Sequence, residues 1–124
     1  MKPTLGNGKI CYLEIPASDV DKSREFYERC FGWAIRRHED GSVSFDDGVG
    51  EVSGMWVTGR PPMKEAGIVI SIMVEDIAKT IEAVIANGGM IVKAVSPNEP
   101  EVTAWFRDPG GNLMGLYHDR HLSK

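Results

Sequence analysis

The chain carries the same pattern twice, and this repeat constrains its fold more than any other feature. Residues 19–23 read D-V-D-K-S and residues 76–80 read D-I-A-K-T, 57 positions later. The same offset relates residues 31–35 to residues 88–92. Self-similarity of this kind predicts two copies of one supersecondary unit. Because binding sites commonly lie in the cleft between packed units, we expect the functional residues where the two halves face each other.

The first half predicts the element order β-α-β-β-β. Asp19 is a good N-cap, the residues after it have helical hydrophobic spacing, and Gly32 is suited to end the helix. Asp40 and Gly41 together form a two-residue hairpin signal between strands. The predicted elements are a strand at 9–15, a helix at 20–30, and strands at 33–37, 42–45 and 51–58.

The second half predicts the same order after a short link. The link at 59–66 contains Pro61 and Pro62, which are disfavoured in a sheet interior. The predicted elements that follow are a strand at 67–74, a helix at 77–86, and strands at 90–95, 102–107 and 113–118. We therefore predict one α+β domain over residues 1–124, with module one at about 9–58 and module two at about 67–118.

Composition and charge exclude several classes of function. The chain has 14 basic and 18 acidic residues and a net charge of −4, so it lacks the basic surface of a general nucleic-acid-binding protein. No apolar run approaches the ~20 residues that span a bilayer, and the polar N-terminus is unlike a signal peptide. We expect a cytoplasmic protein with no membrane partner, and with Cys11 and Cys30 as reduced, buried thiols.

Two segments resemble a known family. The opening segment reads E-I-P-A at 14–17, then Asp19, F-Y at 26–27 and F-G-W at 31–33. The closing segment reads F-R-D-P-G-G-N-L at 106–113. Together they resemble the glyoxalase/bleomycin resistance/dioxygenase proteins of the vicinal oxygen chelate superfamily, in particular the subgroup related to lactoylglutathione lyase.

This resemblance implies a fold and a range of functions. The fold is two tandem βαβββ modules that form a curved mixed sheet around a cavity, in proteins that are commonly dimers. Enzymes of the family hold a divalent metal in the cavity, and they include lyases, isomerases, dioxygenases and thiol transferases. Other members hold no metal and sequester a drug.

The resemblance places four metal-ligand positions on this chain. Counting from the two helix caps puts the first-strand positions at Tyr12 and Val69. The last strands of the two halves put the other two positions at Gly54 and Gly115. A third repeat, of residues 52–56 with 113–117 at an offset of 61, aligns the same two glycines. Divalent ions prefer carboxylate, imidazole or carbonyl donors, and none of these four side chains supplies one. We therefore predict no metal and no cofactor.

We expect the cavity to be lined by residues of both modules, namely Tyr12, Glu14, Gly54, Trp56, Val69, Trp105, Gly115 and Tyr117. Strand alternation puts Tyr12 and Glu14 on one face, where Glu14 is either an acid–base group or a carboxylate paired with a neighbouring arginine. The two glycines either leave room in the cavity or allow close packing. The aromatic residues either wall a ligand pocket or belong to the core or a dimer interface.

Three functions follow from these observations. The leading hypothesis is a metal-free protein that binds an apolar or aromatic small molecule in the cavity between the modules. The alternative is a divergent lyase or isomerase in which Glu14 and Tyr12 act as acid and base. A third is an interaction module whose cavity is filled by side chains. We expect a homodimer, and the sequence leaves open both the ligand and the exchange of modules between chains.

Overall fold

The computed structural model describes residues 2–95 and 102–119, which form ten elements in the order βαβββ-βαβββ. The first module comprises β1 (Tyr12–Pro16), α1 (Val20–Phe31), β2 (Ala34–Arg37), β3 (Val43–Asp46) and β4 (Ser53–Val57). The second comprises β5 (Ser71–Val74), α2 (Ile77–Ala86), β6 (Met90–Lys93), β7 (Val102–Arg107) and β8 (Leu113–His118). The predicted α+β fold class of two βαβββ modules is confirmed.

Local signals determine both helix starts. The Asp19 carboxylate accepts a hydrogen bond from the Lys22 N–H, and the Asp76 carboxylate does the same for the Lys79 N–H, at 3.2 Å in each case. Each bond satisfies one N–H group that a helix otherwise leaves without a partner. At the other end of α1, Gly32 adopts φ 69°, a left-handed conformation that costs glycine little.

Each module forms its own four-stranded mixed sheet. The first sheet has the order β1-β4-β3-β2 and the second has the order β5-β8-β7-β6, so β1 and β5 are edge strands. The first strand of each module pairs in parallel with the last, and the other pairs are antiparallel. β5 begins at Ser71 and not at the predicted residue 67. Its regular pairing with β8 starts where Ser71 lies opposite Gly115.

The core lies on the helix-covered side of both sheets, which we call the helix side. Phe26 and Tyr27 of α1 are fully buried, and the Phe26 ring lies 5.7 Å from the ring of Phe106 in the second module. The Tyr27 ring stacks on Trp33 at 4.5 Å. The two helices also contact each other, so the modules join through their helix sides. The opposite face of each sheet, which we call the open face, is not covered by the helices.

The turn between β7 and β8 ties the modules and the link together. The Tyr27 hydroxyl donates a 2.7 Å hydrogen bond to the buried Asp108 carboxylate. The Asn112 side chain donates to the Pro16 carbonyl at 2.7 Å and accepts from the Met63 N–H at 3.0 Å. This turn is the D-P-G-G-N part of the closing motif, and its polar atoms hold β1, α1 and the link in place.

Within the described residues, no helix is both long and apolar enough to cross a membrane. The expectation of two buried thiols is wrong for Cys11, which is exposed, while Cys30 is half-buried; neither forms a disulfide. Burial raises the pKa of Cys30 to about 11 against the opposing hydrogen bond from Asn87, so its thiol stays protonated at neutral pH and is a poor nucleophile.

Candidate functional site

Strand register decides which of the predicted site residues share a face. In the first sheet, Tyr12 is paired with Ser53 and Glu14 with Met55, so these four residues lie on the open face. In the second sheet, Ser71 is paired with Gly115, which lies beside Trp105 of β7 on the open face.

The structure does not bring the eight predicted cavity residues together, but distributes them over three surfaces. Tyr12 and Glu14 lie on the open face of the first sheet, and the open face of the second sheet carries Val69, Trp105, Gly115 and Tyr117. Gly54 and Trp56 lie on the helix side instead, where Trp56 is buried in the core. The third repeat aligned the last strands one residue out of register. A shift of one residue moves every side chain of a strand to the other face of the sheet.

The correct counterpart of Gly115 is Met55. Glu14 and Ser71 are equivalent in the repeat, and they pair with Met55 and Gly115 respectively, which are 60 positions apart and not 61. The family's last-strand position in module one is therefore a methionine. Its thioether suits soft metals such as Cu(I) and is a poor ligand for hard or borderline divalent ions.

The four corrected positions do not fit a divalent metal. They are Tyr12, Met55, Val69 and Gly115, which offer one phenol, one thioether and no carboxylate or imidazole. A Cβ atom at Gly115 would lie 2.5 Å from the Ser71 hydroxyl and 3.2 Å from a Val69 methyl, so this corner is closed by packing. Within residues 2–95 and 102–119, no three His, Cys, Asp or Glu side chains converge in a way that could hold a metal ion.

The two glycines are explained by close packing rather than by space in a cavity. A Cβ at Gly54 would collide with the Leu13 carbonyl oxygen and the Phe45 ring. Trp105, in contrast, is half-buried on the open face, with the Lys93 ammonium 5.0 Å from its ring centre. This geometry is a cation–π contact at the surface.

Glu14 is paired with an arginine. Arg60, in the link after β4, donates a 2.6 Å hydrogen bond to the Glu14 carboxylate, and both side chains are about half exposed. This is one of the two alternatives that the sequence left open. An acid–base role for Glu14 would require this ion pair to open.

The open face of the first sheet also carries polar residues that sequence reasoning missed. Asp46 accepts hydrogen bonds from Arg36 at 2.9 Å and from the Ser53 hydroxyl at 2.6 Å. Two residues before Asp46 on β3, the Ser44 hydroxyl lies 2.8 Å from Nε2 of His38. The period-two alternation of residues 42–46, which read S-V-S-F-D, is the signal that could have found Ser44 and Asp46.

A concavity lies between the modules, and it opens onto the helix side of the first sheet rather than onto its open face. It is a crevice of about 580 Å³, bounded by the end of α1, the 47–52 loop and the edge of the second module. This volume falls within the range of small-molecule sites. Its walls are formed by Ile10, Leu13, Phe31, Trp33, Phe45, residues 47–49, Val52 and residues 68–73. A more open depression of about 470 Å³ adjoins it and reaches Cys30 and Lys79.

The crevice is apolar apart from two side chains. Asp47 and Ser71 are the polar groups among its lining residues, and Val69 is the one predicted site residue that reaches it. Trp33 and Phe45, whose rings stack at 4.5 Å, form its inner wall. Sequence reasoning missed this wall because Trp33 and Phe45 have the pattern of ordinary core residues.

Comparison with known proteins identifies the family. The sequence profile of the Glyoxalase/Bleomycin resistance protein/Dioxygenase superfamily matches residues 9–116. The protein belongs to this superfamily. The resemblance carried by the opening and closing motifs is therefore confirmed, and the glyoxalase-type fold is confirmed with it.

Several relatives of this glyoxalase-superfamily chain match over nearly their full length. A "Glyoxylase-like domain-containing protein" of Didymella fabae is 30% identical, covering 89% of this chain and 93% of the relative. A "Probable lactoylglutathione lyase" of Vibrio parahaemolyticus is 26% identical, covering 96% of each chain. Among solved structures, a fosfomycin resistance protein from Listeria monocytogenes superposes with a TM-score of 0.74 at 13% identity, covering 94% of each chain. That structural likeness shows the fold alone.

Proposed function

We propose that the protein binds a small apolar or aromatic molecule in the crevice between its modules, and that it does so without a metal at the positions its family uses. The crevice itself carries the proposal, because about 580 Å³ of concave space is walled by aliphatic and aromatic side chains. Apolar concavities of this size with few polar groups are the usual sites for small ligands. An interaction module with a filled cavity is disfavoured by the same space.

A pair of matched variants tests the binding site. Val52 is half-buried in the crevice wall, so Val52→Phe reduces the space, whereas Val92→Phe adds the same bulk on the exposed surface of β6. We expect an apolar aromatic probe such as 1-naphthylmethanol to bind the parent and Val92→Phe, and to bind Val52→Phe at least tenfold more weakly by calorimetry. Equal affinity for all three proteins would contradict the proposal.

Metal analysis tests the second half of the proposal. The positions Tyr12, Met55, Val69 and Gly115 supply no carboxylate or imidazole, so we expect added Mn²⁺, Ni²⁺ or Zn²⁺ to leave the melting temperature unchanged. Finding about one tightly held divalent ion per chain in the purified protein would refute this part of the proposal.

A lyase or isomerase activity is the second candidate. Two relatives carry the name lactoylglutathione lyase, and the open face of the first sheet carries Tyr12, Glu14 and a row of polar side chains. This candidate predicts turnover of lactoylglutathione that collapses in Glu14→Gln while folding is retained. Unchanged turnover in that variant would remove Glu14 from the mechanism.

We also propose that the protein forms a homodimer and that it is located in the cytoplasm. β1 and β5 are edge strands, and exposed apolar side chains lie on or beside them, including Ile10 (76% exposed) and Ile68 (78% exposed). Unpaired edges with apolar side chains are commonly covered by another chain. The two unpaired cysteines suit a reducing compartment. Light scattering during size-exclusion chromatography tests the dimer, and a single species of 13.7 kDa would contradict it.

A further inference from the structure

We infer that the ligand of the crevice is an aromatic cation, and that Asp47 is the residue that selects its charge. This inference rests on the proposed function, because it names the chemical class of ligand for the same crevice. It is carried by one carboxylate that has no cationic partner among the described residues, in an otherwise apolar wall.

Asp47 is held rigidly at the crevice wall by backbone hydrogen bonds. Its Oδ1 accepts from the N–H of Glu51 at 2.7 Å and from the N–H of Val52 at 3.1 Å. The Asp47 N–H in turn donates to the Val52 carbonyl at 2.8 Å. These bonds orient the carboxylate, and within the described parts of the chain its second oxygen, Oδ2, forms no hydrogen bond.

The other carboxylates on the strands of the first sheet and in the 47–52 loop each have a cationic partner, and Asp47 has none in the part of the chain that the structure describes. Glu14 pairs with Arg60 at 2.6 Å, Asp46 with Arg36 at 2.9 Å, and Glu51 with Lys9 at 3.2 Å. For Asp47, no Lys, Arg or His nitrogen within residues 2–95 and 102–119 lies closer than 4.0 Å. Asp47 is also the sole ionisable side chain among the described residues that line the crevice.

A carboxylate beside an apolar wall attracts a cation more strongly than one in open water, because the local dielectric constant is lower. The negative charge of the carboxylate also repels an anion, and it changes the binding free energy of a neutral molecule little. Trp33, Phe45 and Phe31 line the crevice and present aromatic faces and edges to a ring system. A flat aromatic body with one ammonium group satisfies both features.

Three probes that share one ring system test the inference. They are 1-naphthylmethylammonium, 1-naphthylmethanol and 1-naphthylacetate, measured by calorimetry at pH 7 and low salt. We expect the cation to bind about fivefold more tightly than the alcohol, which is the scale of a half-exposed ion pair, and the anion to bind most weakly. At 0.5 M NaCl the preference for the cation should fall to about twofold or less.

Two adjacent substitutions provide the matched control. Asp47→Asn removes the charge and keeps an oxygen that can accept the Glu51 and Val52 N–H groups, so we expect the cation and the alcohol to bind it equally. Asp46→Asn removes the same charge one residue away on the open face, and we expect it to keep the fivefold preference. Circular dichroism and the melting temperature establish that both variants are folded.

The outcomes separate this inference from the proposed function. If the alcohol binds as tightly as the cation in the parent protein, at low and high salt, the inference is wrong and the proposed apolar site survives. If Asp47→Asn still binds the cation about fivefold more tightly than the alcohol, the inference is also wrong and the proposed apolar site also survives. If none of the three probes binds, both the proposed function and the inference are overturned. If Asp47→Asn does not fold, the salt dependence of the parent still tests whether the crevice prefers a cation, and loss of that preference in Asp46→Asn would overturn the role of Asp47.

Discussion

The hydrogen bond between Tyr27 and Asp108 makes a quantitative prediction about stability. Tyr27 is fully buried, and its hydroxyl donates at 2.7 Å to Oδ2 of Asp108, which is 3% exposed. Tyr27→Phe removes this bond and keeps the ring that stacks on Trp33. A hydrogen bond to a charged group contributes about 1.5–3 kcal/mol. Because Oδ2 still accepts from Asn112 Nδ2 at 3.0 Å, we expect a loss near the lower end.

We therefore expect Tyr27→Phe to lower the free energy of unfolding by about 1.5–2 kcal/mol in urea, with an unchanged m-value. For a chain of 124 residues this corresponds to a fall of about 6–8 °C in melting temperature. Tyr12→Phe is the matched control, because Tyr12 is 49% exposed and has no buried partner to lose among the described residues. We expect that control to change stability by less than about 0.5 kcal/mol.

The pH dependence of this loss follows from two raised pKa values. Burial raises the pKa of Asp108 above its ordinary value of 3.8, while the hydrogen bonds from Tyr27 and Asn112 partly oppose the shift. The stabilisation linked to a raised pKa is complete below the unfolded value and is lost as pH rises. Removing the Tyr27 hydroxyl raises the pKa of Asp108 further, so the variant loses more stability on going from acid to neutral pH. The difference between parent and variant should therefore be smaller near pH 3 than at pH 7.

At alkaline pH the difference should shrink again. Burial, and then the Asp108 carboxylate, raises the pKa of Tyr27 well above 10.0. The parent therefore loses stability as pH rises past 10, where the unfolded tyrosine ionises, and the Tyr27→Phe variant does not. Urea titrations from pH 3 to pH 10.5 measure the whole profile. A loss below about 0.5 kcal/mol at pH 7, or one that is flat with pH, would refute the assigned bond.

Two further predictions concern packing and thiol chemistry. Gly54→Ala should lower the free energy of unfolding by about 2 kcal/mol or more, because the new methyl group collides with the Phe45 ring and a β1 carbonyl. Gly67→Ala, which faces open space, should change it little, and equal effects in urea titrations would count against this packing. In the parent at pH 8, iodoacetamide should label exposed Cys11 well before half-buried Cys30, as peptide mass spectrometry would show. Faster labelling of Cys30 would contradict its raised pKa.

The sequence predicted the element order because the signals for it are local. Asp19 and Asp76 cap the helices through residues three positions away, and Gly32 ends α1 through its own backbone angle. Such contacts can be read from spacing alone. The family assignment succeeded for the same reason, since its motifs are short and contiguous.

The prediction from the sequence was wrong where two residues of the same type make different contacts. Gly54 and Gly115 align in the third repeat, yet Gly54 faces the core against Phe45 while Gly115 lies on the open face against Ser71. Sequence similarity favoured an offset of 61, and strand pairing gives 60. Because faces alternate along a strand, that single step moved Gly54 and its neighbour Trp56 to the wrong side.

Contacts between distant segments could not be predicted either. The partner of Glu14 is Arg60, 46 positions away in the link, and no local pattern connects them. The crevice depends on how the edge of the second module lies against the end of α1, which is a property of tertiary packing. Asp47 has the sequence pattern of an ordinary turn residue. The role proposed for it depends on its distances to cationic side chains, which only the tertiary structure gives.

The residues that identify the family are the ones that build the scaffold. Asp108 and Asn112 of the closing motif hold α1, β1 and the link through buried hydrogen bonds, and Tyr27 of the opening motif is their partner. The positions that would determine chemistry, such as Tyr12 and Met55, lie outside those hydrogen bonds. This separation explains why the sequence predicts the architecture well and the activity poorly. The proposed ligand is therefore argued from the crevice and from Asp47, since function resides in sites and not in the fold that carries them.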